Sequence, residues 1–248
     1  MLYSNQVWEI FKIGEEFHMK TIGLIGGMSW ESTVPYYRII NEEVKRQLGG
    51  LHSAKIVLYS VEFDEIEKCQ SSGDWDKSAM ILGNAAKGLE AAGADFILIC
   101  TNTMHKVAPQ IASVINIPII HIADATADAL EKSHIQKVGL LGTKYTMTQD
   151  FYKQKLIDRG FEVVIPKAAD IETINDIIFH ELCVGEIKES SRKEFQRVID
   201  HLKADGAEAV ILGCTEIGLL IHPSDSSLPI FDTTCIHAKR AAEIALTI

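Results

Sequence analysis

GADFILICTNT at residues 93–103 and GAEAVILGCTE at 206–216 are near-copies. Each opens on Gly-Ala, runs through an apolar stretch of strand length, and ends on polar groups for which a buried strand has no use. Aligned from the shared Gly-Ala, Cys100 stands opposite Gly213, Thr101 opposite Cys214, Asn102 opposite Thr215 and Thr103 opposite Glu216. A duplicated α/β chain would bring two reactive groups to opposite sides of one small ligand in this way. Thr101 and Cys214 are therefore the first candidate functional pair.

The repeat extends further. TIGLIGG at 21–27 parallels KVGLLGT at 137–143, so that Gly23 and Gly139, Gly26 and Gly142, and Tyr36 and Tyr152 are each 116 residues apart. The two opening segments are offset by 113, and IPIIHIAD at 117–124 precedes LPIFDTTC at 228–235 by 111. Insertions and deletions in surface loops explain offsets that drift while the order of the blocks holds.

TIGLIG, AKIVLYSV, DFILIC, IPIIHIA, KVGLLG, EVVIP, AVILGC and LPIF are short, rich in Ile, Val and Leu, and mostly continuous rather than alternating. Such runs read as strands covered on both faces, hence a largely parallel sheet. Helical patterns separate them at 33–48, 76–91, 104–114, 125–132, 148–159, 170–184, 190–205 and 235–246. Strand–helix alternation with right-handed crossovers predicts an α/β fold of two similar Rossmann-like or flavodoxin-like domains, with the ligand outside the carboxyl ends of the strands. The expected division is 19–117 plus 228–248 for the first domain and 118–227 for the second. Residues 1–18 stand outside the repeat, and Met19 reads as a natural start, so they are expected to be an extension without a catalytic role.

The 248 residues, 47 % of them hydrophobic, suffice for a substantial core. A net charge of −10 argues against nonspecific nucleic-acid or membrane-surface binding, both of which need a basic field. With no long apolar run and no secretory leader pattern, the expectation is a cytoplasmic protein. Five cysteines without close CxxC spacing fit reduced thiols, with Cys69, Cys183 and Cys235 expected in core or boundary positions.

GLIGGMS at 23–29 sets glycines before a helix, where backbone N–H groups can receive an anion. It lacks GxGxxG spacing, so a dinucleotide is not expected. CTNTMH at 100–105 crowds thiol, hydroxyl, amide and imidazole at a strand-to-helix junction. Simple helix capping by Thr101 or Thr103 is the plain reading of that crowd, and the partner GCTE weakens it. A thiol at a helix N-terminus can have a lowered pKa and serve as base or acid. If two proton-transfer groups flank an α-carbon, inversion follows. His105, His121 and His237, with Asp124 and Asp232, lack compact metal-ligand spacing, and HExxH, the P-loop lysine motif and GxSxG are absent.

On GGMSWEST, CTNTMH and GCTE together, residues 19–248 resemble the aspartate/glutamate racemase family. The resemblance implies two similar α/β domains with the site between them, no pyridoxal phosphate, no metal, and a homodimer acting on a small amino acid, aspartate or glutamate first. The family pattern has cysteine at both motifs; here Thr101 replaces one, as in a subgroup with a Thr/Cys pair. A hydroxyl is a far weaker acid than a thiol, whose reference pKa is about 8.5, so Cys214 is the expected base and Thr101 a donor or relay. Met28, Ser29, Asn102, Thr103, Thr143 and Thr215 are expected to bind the α-carboxylate and amino group, and Gln70, read as lying in a loop over 64–75, the distal group. His105 and Glu216 are expected to orient the catalytic pair. An isomerase or decarboxylase of a small dicarboxylate, and a binding protein that lost the chemistry with its first cysteine, are the competing readings.

Overall fold

A computed structural model describes residues 18–247; the extension read from the sequence falls, apart from His18, outside the described residues. Two parallel sheets are built alike. In the first half the elements are β1 (Ile22–Gly26), α1 (Trp30–Leu48), β2 (Ile56–Ser60), α2 (Phe63–Ser72), α3 (Trp75–Ala91), β3 (Phe96–Ile99) and α4 (Ala108–Ala112). The second half contains α5 (Ile122–Lys132), β4 (Lys137–Gly142), α6 (Lys144–Thr148), α7 (Asp150–Asp158), β5 (Glu162–Val164), α8 (Ala168–His180), α9 (Glu189–Ala204), β6 (Ala209–Gly213), α10 (Ile217–Leu220), β7 (Ile230–Asp232) and α11 (Thr233–Leu246). The strand orders are β2-β1-β3 and β5-β4-β6-β7, and a parallel bridge from Ile97 to Ile119 adds the missing fourth position to the first. The same order in both halves is what a duplication requires.

Continuous apolar strands follow from burial on both faces. Ile22 and Leu24 of β1 pack with Phe96, Leu98, Tyr36 and Ile40 on one side, while Ile25 packs with Ile97, Ile99, Leu82 and Leu89 on the other. The second sheet repeats this: Val138, Leu140 and Ile211 face Tyr152 and Leu156, and Leu141, Val210 and Leu212 face Ile178, Phe195 and Ile199. Successive side chains of a strand point to opposite faces, so helices on both sides leave no polar position.

The halves exchange helices. α11 follows β7 of the second sheet but lays Ala238, Ala241, Ala242 and Ala245 against the first-sheet cluster of Tyr36, Ile40 and Val44. Correspondingly, α5 follows the first sheet's edge segment but buries Ile122, Ala123, Ala127 and Leu130 in the second half's core. The division expected at 117 and 228 differs from this pairing by one strand each time. Ile97 N–H donates to the Pro118 carbonyl and Ile120 N–H to the Ile97 carbonyl, both at 2.9 Å, so 118–120 completes the first sheet. Likewise β7 pairs with β6 in the second. The edge amides of β3 and β6 need partners, and the next segment of chain supplies them before it crosses.

Three local readings change. Residues 64–75 are not a loop: α2 covers most of them, capped by the Glu62 side chain, which accepts from the amides of Asp64 and Glu65, and closed by Gly73 in a left-handed conformation at φ 75°. The stretch 104–114 divides into a 3-10 turn over Thr103–Val107 and the short α4. Of the glycines expected in the first turn, Gly23 and Gly26 lie in β1, and only Gly27, at φ 89°, makes the turn. No helix among the described residues is long and apolar enough to cross a membrane.

Candidate active site

The strand ends at Thr101 and Cys214 meet across one cavity. Met28, Gln70, Thr101, Asn102 and Thr103 line it from the first half, and Thr143, Cys214 and Glu216 from the second. Close approach at the β6 end depends on Gly213, where a Cβ would lie 2.7 Å from the Leu141 carbonyl oxygen. The enclosed volume is about 20 Å³, room for a single water. Admission of an amino acid requires the walls to part.

Glu216 is the hub. It is 2 % exposed; Oε2 accepts from Cys214 Sγ and Thr215 Oγ1, each at 2.9 Å, and Oε1 accepts from Ser29 Oγ at 2.8 Å and Ser29 N–H at 3.2 Å. At the turn after β1, the Ser29 amide and hydroxyl thus face the protein's own carboxylate from the other half. Ser29 and Thr215, expected to hold substrate, direct their donors at Glu216 and do not line the cavity. Burial, and then the charge of Glu216, push the Cys214 thiol well above its ordinary pKa. This is opposite to the lowering expected at a helix N-terminus, because the four-residue α10 offers little dipole and a carboxylate stands in front of it.

On the first-half side, Asn102 Nδ2 donates to Thr233 Oγ1 at 3.0 Å, and that hydroxyl donates to the Leu212 carbonyl at 2.8 Å. Asn102 Oδ1 is buried and has no partner among the described residues. It is an acceptor on the cavity wall that calls for an N–H donor. Thr103 and Thr143 Oγ1 lie 3.1 Å apart, joining the two halves at the cavity wall. Thr143 also caps α6, accepting from the Thr146 amide.

His105 sits behind Thr101 rather than in the cavity. Its Nδ1 is 2.8 Å from the Thr101 carbonyl, which only accepts, so Nδ1 carries the hydrogen and Nε2 accepts the Ile122 amide at 3.2 Å. His237 holds the same crossover from the other side: Nε2 donates to the Ile120 carbonyl at 2.8 Å and Nδ1 accepts from Tyr36 Oη at 3.0 Å. Burial pulls the pKa of His105 down to about 4 and that of His237 to about 3, and His121, its ring centroid 4.4 Å from that of His105, is lowered by burial and by that neighbour. His105 thus ties the crossover at Ile122 to the Thr101 segment, and His237 ties it at Ile120 to Tyr36 of α1. Among the described residues no group of three or more His, Cys, Asp and Glu is arranged to hold a metal.

Phe63, Ile178, Phe179, Cys183 and Gly213 complete the lining and were not anticipated. Cys183, expected in a core or boundary position, is a wall of the cavity, with its thiol pushed up by burial and by the charges of Glu216 and Glu31. Phe63 and Gln70 are seven residues apart on α2 and so share one face, a periodicity that the helix caps at Glu62 and Gly73 make legible.

The family model described as Asp/Glu/Hydantoin racemase matches residues 25–241. The structure of a Yersinia pestis protein provisionally described as an Asp/Glu racemase is 56 % identical, with a TM-score of 0.85, covering 92 % of this chain and 100 % of its own. That of an aspartate racemase homologue from Pyrococcus horikoshii OT3 is 39 % identical at a TM-score of 0.79, covering 92 % and 99 %. The broad specificity amino-acid racemase RacX of Bacillus subtilis (strain 168) is 25 % identical over 88 % of this chain and 95 % of its own.

Proposed function

This chain belongs to the Asp/Glu/hydantoin racemase family and is as such an enzyme of the racemase class; from that premise we propose that it inverts an amino acid at the α-carbon, without pyridoxal phosphate, by proton transfer between Cys214 and Thr101. The observation that carries the reading is that these two residues, at matching positions of the repeat, line one cavity. In the resting site the thiol donates to Glu216, so its proton has a carboxylate to go to. A substrate ammonium donating to Asn102 Oδ1 brings positive charge beside the thiol and lowers the cost of the thiolate. The thiol proton passes to Glu216, the thiolate takes the α-proton, and the electron pair spreads onto the α-carboxylate. The hydroxyls of Thr103 and Thr143 and nearby amides stabilise that charge. Thr101 returns a proton to the opposite face and is reprotonated from solvent, and Glu216 releases to solvent the proton it took from the thiol, which restores the resting site. Aspartate and glutamate, the substrates to which the family resemblance points, head the panel to be tested.

The test is proton NMR in deuterium oxide with L- and D-forms of aspartate, glutamate, alanine and lysine, for the native enzyme and Cys214→Ala. Loss of the α-proton signal that depends on Cys214, with all carbon retained, supports the reading. Loss of carbon points to a decarboxylase, and no exchange across the panel removes the proton-transfer role. A homodimer belongs to the same proposal: Trp30, Val34 and Tyr37, four and three residues apart, are exposed along one stripe of α1. Light scattering on the eluted protein tests it, a monomer mass counting against.

A further inference from the structure

Thr233 opens α11, is fully buried, and has no part in the proton transfer just described. Nor does it cap its helix: the Asp232 side chain does that, accepting from the Thr234 and Cys235 amides. Its hydroxyl reaches instead in two directions, to the carbonyl of Leu212 in β6 at 2.8 Å and to the side-chain amide of Asn102 at 3.0 Å.

The internal repeat separates what this position needs for packing from what it does besides. IPIIHIAD and LPIFDTTC set Ile122 opposite Thr233, 111 residues apart. Each is the first residue of the helix that crosses to the other half, each follows a side-chain cap, His121 or Asp232, and each is fully buried. An isoleucine serves the first crossover, so the crossover as such has no use for a hydroxyl. A buried hydroxyl costs stability unless it is hydrogen-bonded, and its presence in the second copy needs a local reason. Asn102 supplies one. Its counterpart in the repeat, Thr215, donates to Glu216 and makes no comparable demand on the first crossover.

The hydrogens along this chain of contacts are determined. The Leu212 carbonyl only accepts, so it takes the single hydroxyl hydrogen of Thr233 and leaves lone pairs facing Asn102. Only the NH2 end of the amide can meet them, because the reversed amide would set oxygen against oxygen. Oδ1 is thereby turned away from Thr233, and it is the end that is buried without a partner among the described residues. Asn102 itself lines the cavity. An amide free to turn would offer a donor or an acceptor to a ligand; this one is held to offer an acceptor.

We propose that Thr233 is a positioning residue for the substrate: by accepting from Asn102 Nδ2 it holds the amide with Oδ1 ready for the α-ammonium. The inference rests on the proton-transfer reading above and adds to it the group that sets the polarity of the ammonium site. Thr233 touches no reacting atom and acts through Asn102.

The experiment uses whichever of aspartate, glutamate, alanine and lysine the native enzyme exchanges fastest at the α-carbon. The analogue with hydrogen in place of the α-amino group, respectively succinate, glutarate, propionate or ε-aminocaproate, serves as competitive inhibitor. Thr233→Val keeps the shape and loses the hydroxyl, Thr233→Ala loses the hydroxyl and a methyl, and Thr233→Ser keeps the hydroxyl. KM is expected to rise about tenfold in the valine and alanine variants with kcat little changed, because the ammonium is held alike in the ground state and the transition state, and to stay near the native value in the serine variant. Inhibition by the analogue, which has no ammonium to place, is expected to be unchanged in all three. Should the valine protein fail to fold, the alanine variant, whose new residue favours helix, carries the test. An unchanged KM in a folded hydroxyl-free variant overturns the proposal. Equal weakening of amino acid and analogue also overturns it, since that marks a general distortion of the cavity. Absence of Cys214-dependent exchange in the native enzyme removes the proton-transfer reading and this proposal with it, an outcome seen before any Thr233 variant is compared.

Discussion

Cys214 Sγ donates to Glu216 Oε2 at 2.9 Å, and Glu216 in turn is held by Ser29 from the opposite half of the molecule. The contact that positions the thiol is therefore also a contact that closes the cleft. It keeps the thiol protonated: burial and the adjacent negative charge both oppose the thiolate. Glu216→Gln removes the charge and the proton acceptor together. The expected result is alkylation of Cys214 by iodoacetamide at lower pH than in the native protein, with racemisation reduced about 10²-fold or more. A pH–rate profile of alkylation followed by peptide mass spectrometry checks the first, and an unshifted profile would sink the electrostatic account.

Thr101 and Cys214 are not equivalent acids, so removing each has a different consequence. Thr101→Ala leaves the thiol able to take an α-proton from one enantiomer and give back a deuteron to the same face. Exchange without inversion is the expected outcome, with racemisation down about 10²-fold and exchange of the favoured enantiomer largely kept. Parallel NMR and chiral chromatography on the same samples separate the two quantities. Equal losses of both would place Thr101 in binding rather than in proton return.

The buried histidines make stability depend on acid. His105 and His237 have folded-state values of about 4 and about 3, below an unfolded value near 6.5. Between those limits the unfolded chain binds more protons, so stability is full above about pH 6.5 and falls as pH drops toward 4, by about 1 kcal/mol per pH unit for each histidine. Tyr36, Lys155, Asp232 and His121 are the titratable neighbours, and Lys155 adds to the lowering at His105. Urea midpoints between pH 7.5 and 4.5 should decline steeply, and His237→Asn should flatten the slope while lowering the value at pH 7.5. A flat native profile would contradict the burial of these rings.

The fold was legible because both faces of the central strands are covered: runs such as FILI and AVILG admit one reading. Repeat arithmetic then found Thr101 and Cys214 without reference to any other part of the chain. What escaped it lies where local pattern and site chemistry conflict. The buried face of α2 is Ile66, Cys69 and Gln70, and the last of these is polar because it lines a cavity, so the helical period looked broken. Phe179 and Cys183 read as ordinary core residues, since nothing in a single sequence distinguishes an apolar wall from an apolar interior. The contact between Ser29 and Glu216 escaped it because its partners lie 187 residues apart. The strand exchange at 118–120 likewise depends on edge hydrogen bonds that no hydrophobic pattern records.

Two glycines in left-handed conformations provide a paired test of how the site is held. Gly73 closes α2 at φ 75° with nothing within 4 Å of an added Cβ. Gly27 has φ 89°, and its Cβ would lie 2.3 Å from the Val61 carbonyl oxygen. Alanine at Gly73 incurs only the left-handed penalty, about 1 kcal/mol. Alanine at Gly27 incurs that penalty and must also push apart the turn after β1 and the end of β2, a further overlap of about 2 kcal/mol or more. Each kcal/mol lowers the melting temperature of a chain this size by roughly 2–4 °C. Gly73→Ala should therefore melt a few degrees below the native protein and retain activity. Gly27→Ala should fall about three times as far and lose activity besides, because displacing Met28 and Ser29 releases the hydroxyl and amide that hold Glu216 against Cys214. Equal melting temperatures for the two variants would mean that the turn yields without disturbing β2, and an active Gly27→Ala would separate the Ser29–Glu216 contact from catalysis.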